Sequence, residues 1–149
     1  MEENKRSITE VLGYNIYTRY PSFCSDKNTY IINTINPHSY CVAKKDKIFK
    51  EALLNSDVLL PDGSGIVFAV KILMGKKINK IAGADVHQYL IENAHLKSQK
   101  VFYLGASKST LNLIEKRLKK EFPNIQVATY SPPYKSQFSE KDTDAMIHA

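Results

Sequence analysis

Short apolar runs that end at a proline or glycine alternate with helical patterns along this chain, and this alternation restricts the fold most. Thr29–Ile35 is rich in β-branched and aromatic residues, which predicts a strand. Asn36-Pro37 ends it, because proline moves the preceding residue away from helical geometry. From His38 to about Leu54, apolar residues recur at helical spacing, which predicts one helix. The other predicted strands are Val58–Leu60, Val101–Leu104 and Ile125–Thr129. Further helices are predicted over Ile66–Met74, which Gly75 closes, and over Asp142–Ala149. Between them we predict one helix that Asp85 caps and another that Ser107 or Ser109 caps and that ends before Pro123. This order predicts an α/β fold in which helices flank a mostly parallel sheet.

Length and composition indicate one globular domain over residues 1–149, with the polar residues 1–28 as its N-terminal segment. The chain has 149 residues, of which 43% are hydrophobic, enough for a single buried core. The last helical pattern has no stop signal, so we expect the chain to end inside the fold. No apolar run reaches the roughly 18 residues of a membrane span, and no apolar leader follows Met1. Cys24 and Cys41 have neither disulfide-framework nor metal-ligand spacing. We expect a soluble intracellular domain.

The net charge of +6 is unevenly distributed. Residues 1–75 hold nine basic and eight acidic residues, whereas residues 76–149 hold twelve and seven. Such an excess can attract nucleic acid, anionic lipid or a phosphorylated substrate, and charge alone does not choose among them. The basic run from Lys116 to Lys120 lacks the interleaved aromatic residues of a nucleic-acid platform. We interpret it as a solvated helix face, with contact to an anionic membrane as the alternative.

Ligands of open α/β sheets gather at the carboxyl ends of the strands, so the loops after the predicted strands are the first candidates for a site. In Thr34-Ile35-Asn36-Pro37, a hydroxyl and an amide side chain stand where a strand ends and a helix starts. Both groups are suited to contact a ligand. The alternative is an Asx-type turn that simply precedes the helix.

The loop Pro61-Asp62-Gly63-Ser64-Gly65 is the second candidate. Its glycines allow backbone N–H groups to approach a phosphate at the start of a helix. It lacks the Gly-Lys-Ser/Thr of a Walker A loop, the third glycine of a dinucleotide fingerprint and the spacing of a nucleophile elbow. An aspartate in this position can accept a proton or orient a hydroxyl. The alternative is that Asp62 forms the turn or caps the helix.

The third candidate, Lys80-Ile81-Ala82-Gly83-Ala84-Asp85, combines a cation with a carboxylate. Lys80 can meet a phosphate. Asp85 can hold a sugar hydroxyl or cap a helix, and its position favours capping. Leu104-Gly105-Ala106-Ser107 repeats the strand–glycine–helix pattern, which is common in α/β proteins and indicates little by itself.

Taken together, these loops resemble those of the WecG/TagA/CpsF glycosyltransferase family. The specific part is the block from Ala52 to Gly65, in which Asn55-Ser56-Asp57 is followed by Leu60-Pro61-Asp62-Gly63. Order and spacing agree from about Thr29 to the end of the chain. The other matching stretches are Thr34–Pro37, Ile81–Asp85 and Val101–Ala106.

The resemblance implies a Rossmann-like fold whose C-terminal part is missing here, and a bacterial enzyme of cell-surface polysaccharide or teichoic acid synthesis. Such an enzyme moves an N-acetylmannosamine-type sugar from a UDP-sugar to N-acetylglucosamine on a polyprenyl diphosphate, with inversion. The implied partners are that donor and that acceptor, with no nucleic acid and with homo-oligomerisation left open. The implied location is the cytoplasm, in peripheral contact with the inner face of the membrane.

Carried over residue by residue, Asp62 falls on the family's general base and Thr34 on a hydroxyl that assists at the sugar. Asn36 falls on a donor-pocket position. Lys80 stands where the family usually has arginine, which keeps the charge but not the two-pronged geometry. The other substrate-binding positions that the resemblance implies are Gly63, Ser64, Gly65, Gly83, Asp85 and Gly105.

We predict no obligatory metal and no other cofactor. We recognise no Asp-x-Asp metal motif in the sequence. The four histidines show no metal-ligand pairing, although His87 and His95 can share one helix face.

Two other functions are compatible with the sequence. The glycine turns are also suited to a non-catalytic module that binds a nucleotide or a sugar phosphate. A basic nucleic-acid binder is favoured only by the net charge.

Overall fold

A computed structural model describes residues 7–20 and 29–149 of the chain. These residues form two compact units, one that ends at Val86 and one that runs from His87 to Ala149. Both units combine helices with short strands, which confirms the predicted α/β class. Cys24 lies outside the described residues, and Cys41 is exposed with a free thiol. None of the helices in the described ranges has the length and apolar character to cross a membrane.

The first unit contains an antiparallel hairpin that the sequence analysis missed. Strand β1 (Ile8–Val11) pairs with β2 (Tyr14–Tyr17) across the two-residue loop Leu12-Gly13. Both loop residues have positive φ, 55° and 82°, as in the type I′ turns whose twist suits a hairpin. The available signal was the alternation of inward-facing residues on either side of the loop. Those buried residues are Thr9, Val11, Tyr14 and Ile16.

Strands β3 (Ile32–Ile35) and β4 (Val58–Pro61) form a parallel pair in the first unit. Every residue of β4 is buried, which explains its uninterrupted apolar sequence. Strand β3 begins three residues later than predicted. The core around this pair contains Ile35, Leu59, Ile66 and Val70 together with the hairpin residues Val11, Tyr14 and Ile16.

The predicted helix from His38 to Leu54 is wrong, because two helices occupy this stretch. Helix α1 (Pro37–Ala43) and helix α2 (Lys47–Leu54) are separated by a turn that ends at Asp46. Asp46 has an extended backbone, and its Oδ1 accepts a hydrogen bond from the N–H of Phe49 at 3.0 Å, as an N-cap residue does. The apolar spacing runs through the turn because both helices pack against the same core.

Helix α3 (Ser64–Met74) starts two residues before the prediction and ends, as predicted, at Gly75, whose φ is 65°. Helix α4 spans Gly83–Leu96, so Asp85 is not its N-cap residue. Asp85 lies in the first turn, where its Oδ2 accepts a hydrogen bond from the N–H of Ala82 at 2.9 Å. The carboxylate therefore still stabilises the start of the helix, from inside it.

The second unit is built on a parallel pair, β5 (Lys100–Leu104) and β6 (Gln126–Tyr130). Helix α5 spans Lys108–Glu121, and of the two predicted caps Ser107 is correct. Helix α6 (Glu140–Ile147) begins two residues earlier than predicted, because Ser139 caps it. The core of this unit contains Ile91, Ala94, Leu118 and Ile125.

Within residues 7–20 and 29–149, the strands form three separate two-stranded sheets. The pairs β3–β4 and β5–β6 are parallel, and the hairpin β1–β2 is antiparallel. The coarse prediction of parallel strands flanked by helices is therefore confirmed.

Candidate active site

The three candidate loops of the first unit lie side by side at the carboxyl ends of β3 and β4. The N–H of Asp62 donates to the carbonyl of Ile35 at 2.9 Å, which continues the strand pairing one residue beyond β4. The N–H of Ile81 donates to the carbonyl of Pro61 at 2.8 Å, which fixes the third loop beside the same strand end. The backbone thus brings together the loops Thr34–Pro37, Pro61–Gly65 and Lys80–Asp85.

The predicted pair Thr34 and Asp62 shares one face of the strand pair. Thr34 pairs with Leu60, and residues paired across neighbouring strands point to the same face. Asp62 follows Leu60 by two positions, so strand alternation places it on that face about 6.6 Å further along. Both residues are half-buried. The hydroxyl and the carboxylate therefore share one face at the edge where ligands of parallel sheets bind.

The alternative that Asp62 caps helix α3 is wrong. Gly63 is the N-cap residue, and no side chain makes a capping hydrogen bond there. Across the described part of the chain, no residue donates a hydrogen bond to the Asp62 carboxylate or forms an ion pair with it. A half-buried carboxylate without a partner is available to accept a proton from a ligand.

Asn36 makes the contacts that the turn interpretation predicts. Its Oδ1 accepts a hydrogen bond from the N–H of Ser39 at 2.9 Å, and its own N–H donates to the Oγ of Ser39 at 2.8 Å. This capping box fixes the start of α1. The amide Nδ2 of Asn36 has no hydrogen-bond partner among the described residues, so it is the group left for a ligand.

Gly63 and Gly65, which follow Asp62, are required for different structural reasons. Gly63 has a φ of 83°, a conformation that L side chains rarely adopt. A Cβ atom on Gly65 would overlap the ring of Pro37, the first residue of α1. Gly65, predicted as a binding residue, is therefore required by the packing of α1 against α3. Ser64, between them, is exposed.

The third loop supplies an exposed cation. Lys80 is exposed and forms no ion pair with a residue in the described ranges. A Cβ on Gly83 would meet no atom within 4 Å, so packing does not require a glycine there. Because one carboxylate oxygen of Asp85 accepts the Ala82 N–H, capping is the better supported of its two interpretations.

In the second unit, the loop of Gly105 follows the carboxyl end of β5. Gly105 has a φ of 122°, and its N–H donates to the carbonyl of Tyr130 at 3.0 Å. Ala106 follows with a φ of 62°, and Ser107 then caps α5. The loop borders a cavity of about 760 Å³ to which Lys108 and Lys135 contribute. Lys135 is paired with Asp142, so Lys108 and the open glycine turn are the features that suit an anionic ligand.

Ser56 and Asp57, in the first half of the block that is specific to the family, have a structural role that the sequence alone does not reveal. The Oγ of Ser56 accepts a hydrogen bond from the Nδ2 of Asn33 at 2.9 Å. The Oδ2 of Asp57 accepts the N–H of Ile31 at 2.8 Å. Both bonds join the start of β4 to β3. They hold the register that places Thr34 and Asp62 on one face, since a one-residue slip would turn a strand over.

No group of three His, Cys, Asp or Glu side chains in the described residues is arranged to hold a metal. One Asp-x-Asp sequence, Asp142-Thr143-Asp144, lies inside α6. The Asp142 carboxylate accepts hydrogen bonds from the Nζ of Lys135 at 2.8 and 2.9 Å and from Ser139. The hydrogen bonds from Lys135, and then those from Ser139, hold the pKa of Asp142 well below its usual range. These contacts give Asp142 a structural role.

The two histidines that can share a face of α4 contact aromatic residues of the second unit. The Nε2 of His87 lies 2.7 Å from the hydroxyl of Tyr103, whose pKa is raised by burial. The ring of His95 packs edge-on against Phe122. Each imidazole therefore has a structural contact.

Comparison with known proteins matches this chain to a glycosyltransferase family and to curated relatives. The sequence model of the WecG/TagA/CpsF glycosyl transferase family matches residues 10–149. A relative from Bacillus subtilis (strain 168), named N-acetylglucosaminyldiphosphoundecaprenol N-acetyl-beta-D-mannosaminyltransferase, is 34% identical over 104 residues, 70% of this chain and 41% of the relative. Relatives with the same name from Bacillus spizizenii and Staphylococcus aureus (strain NCTC 8325 / PS 47) are 36% identical over 110 residues and 29% identical over 104 residues. These alignments cover 73% and 70% of this chain and 42% and 41% of the relatives.

The chain spans about two fifths of the length of the curated relatives it matches. The family match, by contrast, covers nearly all of this chain and includes every predicted site residue. The chain therefore belongs to the WecG/TagA/CpsF family of glycosyltransferases.

Proposed function

We propose that this chain carries the acceptor-activating site of an enzyme that transfers an N-acetylmannosamine-type sugar from a UDP-sugar to N-acetylglucosamine on a polyprenyl diphosphate. Family membership and the names of the relatives support the reaction class. The observation that carries the proposal is the Asp62 carboxylate, half-buried and without a described partner, on the same strand-pair face as Thr34.

In this mechanism Asp62 takes the proton from the acceptor hydroxyl while that oxygen attacks the anomeric carbon. The attack comes from the face opposite the departing UDP, so the configuration inverts. A positioned general base typically contributes a factor of about 10²–10⁴ to the rate. Thr34 lies on the same face beside Leu60, two positions before Asp62. There its hydroxyl orients the sugar.

The loops around Asp62 supply the binding groups of the proposed site. The first N–H groups of α3, which follow Gly63 and Ser64, are available to a phosphate because no side chain caps them. Lys80 adds a positive charge at the same strand end, and the Nδ2 of Asn36 adds a hydrogen-bond donor. Donors and charge of this kind stabilise a leaving diphosphate in the transition state. The groups already in the chain handle both proton and leaving group, so we propose a reaction with no obligatory metal or other cofactor.

The wider context follows from the same proposal. The fold would be Rossmann-like, and the product would enter teichoic acid or another cell-surface polysaccharide. Because the acceptor is held by a lipid, the protein would work from the cytoplasm at the inner face of the membrane, without nucleic acid as a partner. A homo-oligomer is compatible with this arrangement.

The test is sugar transfer by the protein that carries this sequence. It is incubated with UDP-N-acetylmannosamine and a short-chain lipid diphosphate that bears N-acetylglucosamine, and the product is analysed by mass spectrometry and NMR. We expect a disaccharide whose new linkage has the inverted configuration. A retained configuration would contradict the mechanism.

A second candidate function is a non-catalytic module that binds a nucleotide or a sugar phosphate. The specific observation in its favour is the start of α3 after Gly63, where no described side chain caps the backbone N–H groups. These groups can bind a phosphate without any catalytic step. Calorimetry with UDP distinguishes the two functions when it is run beside the transfer assay. Binding without transfer supports the module, and binding with transfer supports the enzyme.

A further inference from the structure

Helix α3 buries one side in the core of the first unit and exposes large apolar side chains on the other. Ile66 and Val70 are 2% and 0% exposed, whereas Phe68 and Ile72, one turn apart, are 61% and 64% exposed. Clustered apolar exposure of this kind marks a binding surface more often than scattered exposed residues do.

Lysines lie close to this apolar surface along the chain. Between Ser64 and Ala84 the chain has four lysines and neither Asp nor Glu. Lys71 lies within α3, and Lys76 and Lys77 follow its C-terminal glycine. None of these three forms a salt bridge with a residue in the described part of the chain.

The positive charge continues into a neighbouring groove of the same unit. Lys76 and Lys77 line it together with Arg19 of the segment after β2, and its volume is about 580 Å³. A groove with three cationic side chains is suited to bind a phosphate group. We call Phe68, Ile72, Lys71, Lys76 and Lys77, with Arg19, the α3 patch.

We propose that the α3 patch docks the protein on the surface of an anionic membrane. Phe68 and Ile72 enter the boundary between headgroups and acyl chains, where apolar side chains on an interfacial helix are buried. The lysines and Arg19 contact the lipid phosphates, and a negatively charged bilayer attracts each of them.

Charge argues against a second copy of the chain as the occupant of the patch. In a symmetric dimer the same surface meets itself, so the lysines of one copy would face those of the other. The patch holds no acidic residue that could pair with them. An anionic bilayer instead complements the apolar and the charged parts at once.

The basic run of α5 provides a contrast in the second unit. There Lys119 pairs with Glu115 at 2.7 Å and Arg117 pairs with Glu121 at 2.9 Å. These pairs offset part of the positive charge along that helix. On α5, Lys116 and Lys120 have no such partner among the residues that the structure describes, and Leu113 is the exposed large apolar side chain of that helix. In the α3 patch no lysine pairs with a described residue, and two large exposed apolar side chains lie one turn apart on the same helix.

The inference deepens the proposed function, because a lipid-linked acceptor must be reached at a membrane, but its test needs no substrate. The 149-residue chain is mixed with vesicles of phosphatidylcholine alone or of equimolar phosphatidylcholine and phosphatidylglycerol, and binding is measured by flotation. We expect binding to the mixed vesicles only, weakened by added salt. Equal binding to both kinds of vesicle, or to neither, would overturn the proposal.

Two double variants locate the surface. We expect Lys76→Gln with Lys77→Gln to weaken partition onto mixed vesicles about 30-fold, from the usual contribution of each lysine near an anionic surface. We expect Phe68→Gln with Ile72→Gln to weaken it by tenfold or more, on the order of the loss for two buried apolar side chains. All four side chains are exposed, so the fold should persist, and circular dichroism checks this.

Matched changes on α5 serve as controls. Lys116→Gln with Lys120→Gln removes the same charge, and Leu113→Gln removes an apolar side chain that is 67% exposed. Partition that stays within twofold of the parent in these controls, with loss in the α3 variants, supports the proposal. Equal loss in both sets would overturn it.

Sedimentation equilibrium tests the alternative that a second copy of the chain covers the α3 patch. A dimer that the Phe68→Gln and Ile72→Gln changes dissociate, without vesicle binding by the parent, would assign the patch to a second copy. Failure of vesicle binding would overturn only the docking proposal, because transfer to a short-chain acceptor in solution tests the proposed function separately.

Discussion

At the scale of single residues, Gly65 is explained by packing. The ring of Pro37, at the start of α1, occupies the space that a Cβ on Gly65 would need. Gly83 provides the contrast, because a Cβ there would meet no atom within 4 Å. Sequence reasoning assigned both glycines to substrate binding, since a glycine required by a neighbouring ring and a glycine required by a ligand look identical in one sequence.

We predict opposite effects of alanine at these two glycines on the free energy of unfolding. Gly65→Ala should lower it by about 1–3 kcal/mol, the usual loss when a packed site receives an extra carbon. Gly83→Ala should raise it by about 0.4–1 kcal/mol, because alanine restricts the unfolded chain without a clash. Urea denaturation measures both. Equal stability of the Gly65→Ala variant and the parent would contradict the packing assignment.

The sequence predicted correctly which loops follow the strands, whereas the chemical roles of their residues stay predictions. The loops of Asp62 and Thr34 were singled out because they follow strands, and hydrogen bonds place them side by side. The choice between a cap and a ligand contact was not decidable from the sequence, because both use an oxygen near a helix start. The structure separates them: Asn36 caps α1, whereas Gly63, not Asp62, is the N-cap residue of α3.

At the scale of elements, the start of β4 controls the alignment of the proposed site. Asn33 bonds to Ser56 and Ile31 bonds to Asp57, so side chains outside the site hold β3 and β4 in register. The family resemblance includes Asn55-Ser56-Asp57 in its specific block, but the sequence does not show the structural role of Ser56 and Asp57. This role is visible only once β3 is adjacent, because the partners are more than twenty positions away.

The boundary between α1 and α2 shows where a prediction from local apolar spacing fails. The apolar period from His38 to Leu54 is continuous because α1 and α2 face one core, and it conceals the turn between them. Asp46 was the available signal of a second helix start, because aspartate is a frequent N-cap residue. The continuous apolar spacing nevertheless favoured a single helix.

For α6 we predict a pH-dependent contribution from Asp142. Bonds from Lys135 and Ser139 hold its pKa in the folded chain below the value in the unfolded chain. The stabilisation is therefore fully present above about pH 4 and is lost as the pH falls through the folded-state pKa. Urea denaturation of Asp142→Asn should give a deficit against the parent that is largest at neutral pH and shrinks in acid.

Asp144→Asn is the matched control for this effect, since it changes the same residue type in the same helix. Its carboxylate has no hydrogen bond from a residue in the described ranges. We expect its stability to follow that of the parent. A deficit in Asp142→Asn that is the same from neutral to acidic pH would contradict the role given to the Lys135 and Ser139 contacts.

At the scale of the whole molecule, the sequence predicts the class of fold better than its assembly. The four strands after residue 29, and the helices except for the break between α1 and α2, follow from apolar spacing and from the prolines and glycines that end each run. Both parallel pairs are present. The hairpin of residues 8–17 was missed because its polar outer face resembles a coil in composition. The division at Val86 was not predicted either, because α4 runs through it without a break in pattern.

The most direct test of the account is the rate of sugar transfer by Asp62→Asn. Asparagine keeps the size of the side chain and removes its ability to accept the proton, so we predict a fall in kcat of about 10²–10⁴. Asp46→Asn, which changes an aspartate to an equally good N-cap residue, should keep the parent rate. UDP binding by calorimetry should be equal in all three proteins. Transfer by Asp62→Asn at the parent rate would contradict the assignment of Asp62 as the base.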